Sequence, residues 1–252
     1  MELDKQTFPT GNPDLDRLLL LGLDDRELLN TLSLATKNRL INRYLNDETF
    51  WRIRLEKKYP LDFEVVMKAK QRSLKGFSLL LIKYLDLAKG NYNKAMRLAA
   101  QGGQRDLVEF FISKGANDWN WAMQGAAGGG HRELVDFFIS KGANSWNRGM
   151  EGATEGGHRD LVDFFISKGA KNWNRGMEGA ALGGHRDLVD FFISEGADKW
   201  NWAMRSAARG GRRDLVDFFI SKGADDWNLA ADYAAQGGHR DLADFLQSKI
   251  KK

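Results

Sequence analysis

Four histidines, His131, His158, His185 and His239, are the side chains in this chain that could carry general acid–base chemistry or bind a metal. The fullest set around any of them is His158 with Asp160 and Asp163, the residue types a hydrolytic site would use. Either role needs the groups to converge in one small volume. Their placement argues against that. Each histidine directly follows a Gly-Gly pair, Gln104 and Arg212 stand at the equivalent places elsewhere, and the same trio recurs at His185, Asp187 and Asp190. Equivalent atoms of repeated units form a row, not a sphere. These histidines therefore read as turn-bracing residues, and the chain as a non-enzyme with no catalytic residue, no metal ligand and no cofactor.

The elements that position them come from one 27-residue unit written six times without a gap, over 91–117, 118–144, 145–171, 172–198, 199–225 and 226–252. In DWNWAMQGAAGGGHRELVDFFISKGAN, Asn120 precedes a short Ala/Met segment, and its counterparts are Asn93, Asn147, Asn174, Asn201 and Asn228. A side-chain oxygen there suits an N-cap. The spacing predicts a first helix (A) of about two turns, stopped by Gly129-Gly130 because glycine is a poor helix former and readily takes positive φ. A second helix (B) is expected over 132–141. Leu134, Val135, Phe137, Phe138 and Ile139 form its apolar stripe, Glu133, Asp136 and Ser140 its polar ridge, and Gly142 its terminator. Two helices this short cannot bury so much Phe, Leu and Trp alone, so neighbouring units must supply the missing walls. The recurring Trp119, Trp146, Trp173, Trp200 and Trp227 read as packing between units.

Comparing units separates scaffold from variable surface. Helix A varies at four columns, those of residues 121, 124, 125 and 128 in the second unit, which are offsets i, i+3, i+4 and i+7 and so one helical face. Trp121, Gln124, Arg148, Glu151, Arg175, Glu178, Trp202, Arg205 and Tyr233 lie on it. Two extra tryptophans among alternating charges are the chemistry of a binding surface, so this face is the expected site for a protein target. The last unit departs from the pattern at Ala231, Ala243 and Leu246-Gln247, as a terminal capping unit should.

Composition narrows the partners. Hydrophobic residues make up 42% of the 252, enough for a core, and the absence of cysteine suits a reducing compartment. The net charge of +4 is spread evenly, with only a local cluster at Arg205, Arg209, Arg212 and Arg213, so no nucleic-acid partner is expected. No run of about 18 apolar residues is present and the N-terminus lacks an apolar signal segment, so no membrane partner and no export are expected.

The strings AAGGGHRELVDFFISKGAN and ALGGHRDLVDFFISEGAD resemble the helix–turn–helix half of an ankyrin repeat. Ankyrin units have 33 residues and a β-hairpin finger, whereas only six residues separate Gly142-Ala143 from Met150 here. The resemblance implies an all-α, ankyrin-like solenoid with its fingers trimmed to a tight turn around Trp146-Asn147.

Residues 1–62 break the pattern, and 63–90 form a connecting stretch whose apolar segment Phe77–Ala88 is suited to cap the repeats over 91–252. Residues 13–60 read as three helices: 14–22, 25–33 and one around 36–45, followed by Phe50-Trp51. Pro13 before a leucine-rich helix, then Leu23-Asp24-Asp25-Arg26-Glu27-Leu28 and a closing Asn46-Asp47-Glu48-Thr49-Phe50-Trp51, resembles an F-box, with Asn12-Pro13 standing where Leu-Pro is usual. That resemblance implies docking of Pro13, Leu15, Leu19, Leu20, Leu23 and Leu28 onto a Skp-family adaptor of a cullin–RING ubiquitin ligase, with Trp51 as internal packing. The same leucines would serve equally in a helical cap. The whole arrangement is similar to the F-box/ankyrin proteins of giant DNA viruses. It implies a cytoplasmic adaptor in the host cell that brings a protein target to the ligase; the alternative is a binding or sequestering scaffold with no ligase link.

Overall fold

The computed structural model describes residues 48–58, 81, 83–85 and 87–250. Thirteen helices with defined ends, a further helical stretch over 81, 83–85 and 87–88, and no strands occur among the described residues. The first is α1 (Glu48–Lys58), which precedes the repeats in the sequence. The A helices are α2 (Tyr92–Gln101), α4 (Trp119–Gly128), α6 (Trp146–Gly156), α8 (Trp173–Gly183), α10 (Trp200–Arg209) and α12 (Trp227–Gln236). The B helices are α3 (Arg105–Ser113), α5 (Arg132–Ser140), α7 (Arg159–Ser167), α9 (Arg186–Ser194), α11 (Arg213–Ser221) and α13 (Arg240–Ile250). The chain divides into two compact units, one of Met1–Ala95 with Glu109–Gly115, the other of Met96–Val108 with Ala116–Lys252.

In the first unit, Phe50 and Trp51 are fully buried, with ring centroids 5.0 Å apart in an edge-to-face arrangement. Both lie inside α1, so the segment that closes the F-box-like pattern is itself helical from Glu48 onward. Alternating charge hid the helix, although Glu48 in its first turn suits the helix dipole. Residues 81, 83–85 and 87–88 are helical, as expected, with Leu81, Tyr84 and Ala88 buried along one face. The Tyr92 ring stacks on Phe111 at 6.4 Å.

In the second unit the A helices form a row, α4 against α6, α6 against α8, α8 against α10 and α10 against α12, and each of these packs on the B helix of its own repeat. The row is close because small residues face the neighbour. A Cβ added to Gly129, Gly156, Gly183, Gly210 or Gly237 would strike the backbone carbonyl of Gln101, Gly128, Glu155, Leu182 or Arg209, respectively, one unit upstream. The second glycine of each pair has a different duty: Gly130, Gly157, Gly184, Gly211 and Gly238 turn the chain at positive φ, 76° at Gly157. Ala122, Met123, Ala126, Leu134, Val135 and Phe138, with their counterparts, fill the core between the two layers. Phe137 and Ile139 are only half-buried, so the buried part of helix B is narrower than its apolar composition suggests.

Helix A begins one residue earlier and runs longer than expected, over 10 or 11 residues from Trp119 and its equivalents. The connection between units is therefore Lys141–Ser145, and Trp146-Asn147 lies inside α6 rather than at the turn. Asn120 is consequently not the N-cap. Asp118 and Asn172 cap their helices by accepting from the Trp121 and Arg175 amides, and the recurring asparagine has another task. Asn120 Oδ1 accepts from the Asn144 and Ser145 amides at 2.9 and 2.8 Å, joining one repeat to the first residues of the next. Asn147, Asn174 and Asn201 do the same for the following connections.

The histidines also work across units. His131 Nε2–H donates to the Gln101 carbonyl at 3.1 Å and His185 Nε2–H to the Glu155 carbonyl at 3.1 Å, 30 residues upstream in each case. Each histidine ring lies against the positive-φ glycine of the preceding unit, His131 on Gly103, His158 on Gly130, His185 on Gly157 and His239 on Gly211. Arg212 takes this position over Gly184. Within its own repeat the Trp173 ring meets Phe192, with centroids 6.4 Å apart.

Candidate binding surface on the A helices

One column of the variable face, the equivalents of residue 121, carries Trp121, Arg148, Arg175 and Trp202 in consecutive repeats. Arg148 and Arg175 are exposed, Trp202 is 49% exposed and Trp121 is half-buried. The next column carries Gln124, Glu151, Glu178 and Arg205, all half-buried. Arg97, Glu151 and Arg205 of this second column each engage a residue of the following repeat. The Arg97 guanidinium stands over the Trp121 ring, 5.7 Å from its centroid. Glu151 accepts from Arg175 Nε at 2.8 Å, and Arg205 lies 3.8 Å from the Asp226 carboxylate.

These contacts set the electrostatics. Arg175 is held above its already high ordinary pKa by the hydrogen bond and charge of Glu151. Burial pushes the Glu178 carboxyl above the usual glutamate range and Glu151 adds to that, while Arg175 and Arg205 oppose it. The carboxylates are thus recessed and engaged, whereas the arginines of the first column face solvent.

The third variable column is not part of the outward surface in the second to fourth repeats. Gly125, Gly152 and Gly179 are buried, each turned toward an upstream carbonyl, of Arg97, Gln124 and Glu151. Variation there follows how closely neighbouring A helices approach. Tyr233, assigned to the face from its spacing, sits half-buried in this column. Leu229, in the first column of the last repeat, is 42% exposed and extends the surface beyond Trp202.

The opposite layer carries a ladder the sequence reading missed. Arg132 pairs with Asp136 at 3.0 Å and lays its guanidinium 3.8 Å from the Phe164 ring of the next repeat. Arg159 does the same with Asp163 and Phe191, Arg186 with Asp190 and Phe218, and Arg213 with Asp217 and Phe245. The expected polar ridge of helix B is therefore partly committed to holding units together.

Pro13, Leu15, Leu19, Leu20, Leu23 and Leu28 lie outside the described residues. Among the described residues no group of three His, Cys, Asp or Glu is placed to hold a metal ion, and no helix is long and apolar enough to cross a membrane. The fold and this surface define an all-helical repeat protein. No protein-family model matches the chain, and no curated protein matches it.

Proposed function

We propose that this chain is a protein-binding adaptor in which the A-helix face of ankyrin-like repeats holds a target while the F-box-like module docks on a Skp-family component of a cullin–RING ubiquitin ligase. The observation that carries the binding half is the row Trp121, Arg148, Arg175 and Trp202, where side chains diverge and stay accessible on a scaffold whose other positions barely change. Large exposed tryptophans and arginines are the side chains that dominate the energetics of protein interfaces. The docking half is supported by the residues from Pro13 to Trp51 that resemble an F-box. In this reading the chain performs no chemistry of its own, works in the cytoplasm of the host cell, and belongs with the F-box/ankyrin proteins of giant DNA viruses.

A sequestering scaffold is the second reading, supported by Leu81, Tyr84 and Ala88, which are buried along one face of the helical stretch preceding the repeats, as a capping helix requires. Calorimetric titration of the full chain with a purified Skp-family adaptor separates the two. Micromolar or tighter binding that Leu19→Asp abolishes supports the ligase adaptor. No binding by the folded chain leaves the scaffold.

A further inference from the structure

Resting on the reading of the A-helix face as the target site, we infer that its occupant is an extended acidic protein segment, with carboxylates on Arg148 and Arg175 and an apolar or aromatic side chain against Trp121 and Trp202. The charge layout carries this. Arg148 makes no ion pair or side-chain hydrogen bond among the described residues and projects into solvent between the two tryptophans. Arg175 spends only its Nε on Glu151 and keeps its side chain 52% exposed, so the outer edge of its guanidinium remains available. Glu151 is 22% exposed, and Glu178 is half-buried among Glu151, Arg175 and Arg205. The positive groups of the row stand outermost and the negative ones lie beneath them. Arginine's planar fork matches a carboxylate in two-point fashion.

The spacing limits the ligand. Packed helices lie about 8–10 Å apart, so the three steps from Trp121 to Trp202 span on the order of 27 Å. An extended chain rising ~3.3 Å per residue covers that distance in roughly eight or nine residues. Single-stranded nucleic acid also pairs arginine with aromatic platforms, but its phosphates would meet Glu151, Glu155 and Glu178 on the same helices. An unbroken negative backbone fits this mixed surface less well than a segment with two or three separated carboxylates.

The test is selection of a random nonapeptide display library on the full-length protein, followed by fluorescence polarisation of the best synthetic peptide and, in parallel, of a labelled dodecathymidylate. Acidic peptides with apolar ends are expected. Their affinity should fall about tenfold or more in Arg148→Glu and in Trp202→Ala, both exposed positions, and weaken as salt rises. Lys171→Glu, an equal charge change in an exposed loop, should leave it unchanged. Neutral or basic peptides, no enrichment, acidic peptides indifferent to Arg148→Glu, or tighter binding of the oligonucleotide would each overturn the inference. Binding of the Skp-family adaptor, read by its sensitivity to Leu19→Asp, is a separate measurement, so failure of one reading does not mimic failure of the other.

Discussion

Asn147 shows how a single residue type, repeated, turns separate helix pairs into one structure. Its side-chain oxygen accepts from the Lys171 and Asn172 amides at 2.9 and 3.0 Å, satisfying two donors at the connection to the next unit. Asn147→Ala strips both and is expected to cost about 1–2 kcal/mol, because the amides left behind are solvent-accessible and water recovers part of the loss. Asn147→Asp keeps the acceptor and should stay near the parent at neutral pH; urea denaturation of both variants checks the pair. Glu178 behaves differently, because its surroundings disfavour its charge. Its folded-state pKa lies above the unfolded value, so its favourable contribution is complete below the ordinary glutamate range and is lost as pH rises through the raised folded value. Glu178→Gln imitates the protonated form. It should unfold at a slightly higher urea concentration than the parent at pH 7, with the difference vanishing below about pH 4.3. A variant less stable than the parent at pH 7 would mean that the charge attraction of Arg175 and Arg205 outweighs burial.

Helix B was legible almost residue by residue, because its acid start, apolar run and glycine end are all local signals, and Arg132–Ser140 lies within the expected 132–141. Helix A was less so. Its asparagine resembles a cap in sequence yet sits one turn-position inside the helix, and only the next unit's backbone reveals its role. The same blindness hid the arginine ladder, since Phe137-Phe138 and its equivalents read as two core residues when the first is a half-buried platform for a cation from the preceding repeat. Of the candidate binding face, two variable columns could be read from the offsets, while the buried glycine column could not, because i+4 spacing does not say which neighbour a helix leans on. The ladder is testable at Arg159 and Phe191, 4.0 Å apart, where Glu195 replaces the lysine that approaches the equivalent ring in other units. A double-mutant cycle with Arg159→Gln and Phe191→Leu should give a coupling of about 0.5–1 kcal/mol. Zero coupling would reduce the contact to coincident proximity.

At the scale of the whole molecule, the hydrogen bonds, ring contacts and main helix contacts that link repeats in the second compact unit run one repeat forward or back, which is the condition for a quasi-one-dimensional protein whose stability is a sum over units and their junctions. Removing one complete repeat should therefore leave a sound structure. Excision of residues 172–198 joins Lys171 to Lys199, so Asn147 would accept from the Lys171 and Lys199 amides in place of Lys171 and Asn172. Arg212 would reach the Glu155 carbonyl that His185 now uses, and Arg159 would cover Phe218 instead of Phe191. The excised chain should unfold cooperatively, with a urea m-value lower by about a tenth, in keeping with 27 residues lost from 252. Excision of 172–185 breaks the period and should leave Arg186–Ser194 without its own A helix, costing far more than its shorter length implies. The register-keeping excision also deletes Arg175 and moves Trp202 next to Arg148, so the protein should stay folded yet lose the acidic-peptide affinity expected of the full row. If the 27-residue excision unfolded the chain instead, stability would depend on contacts longer than one repeat, and the additive picture would be wrong.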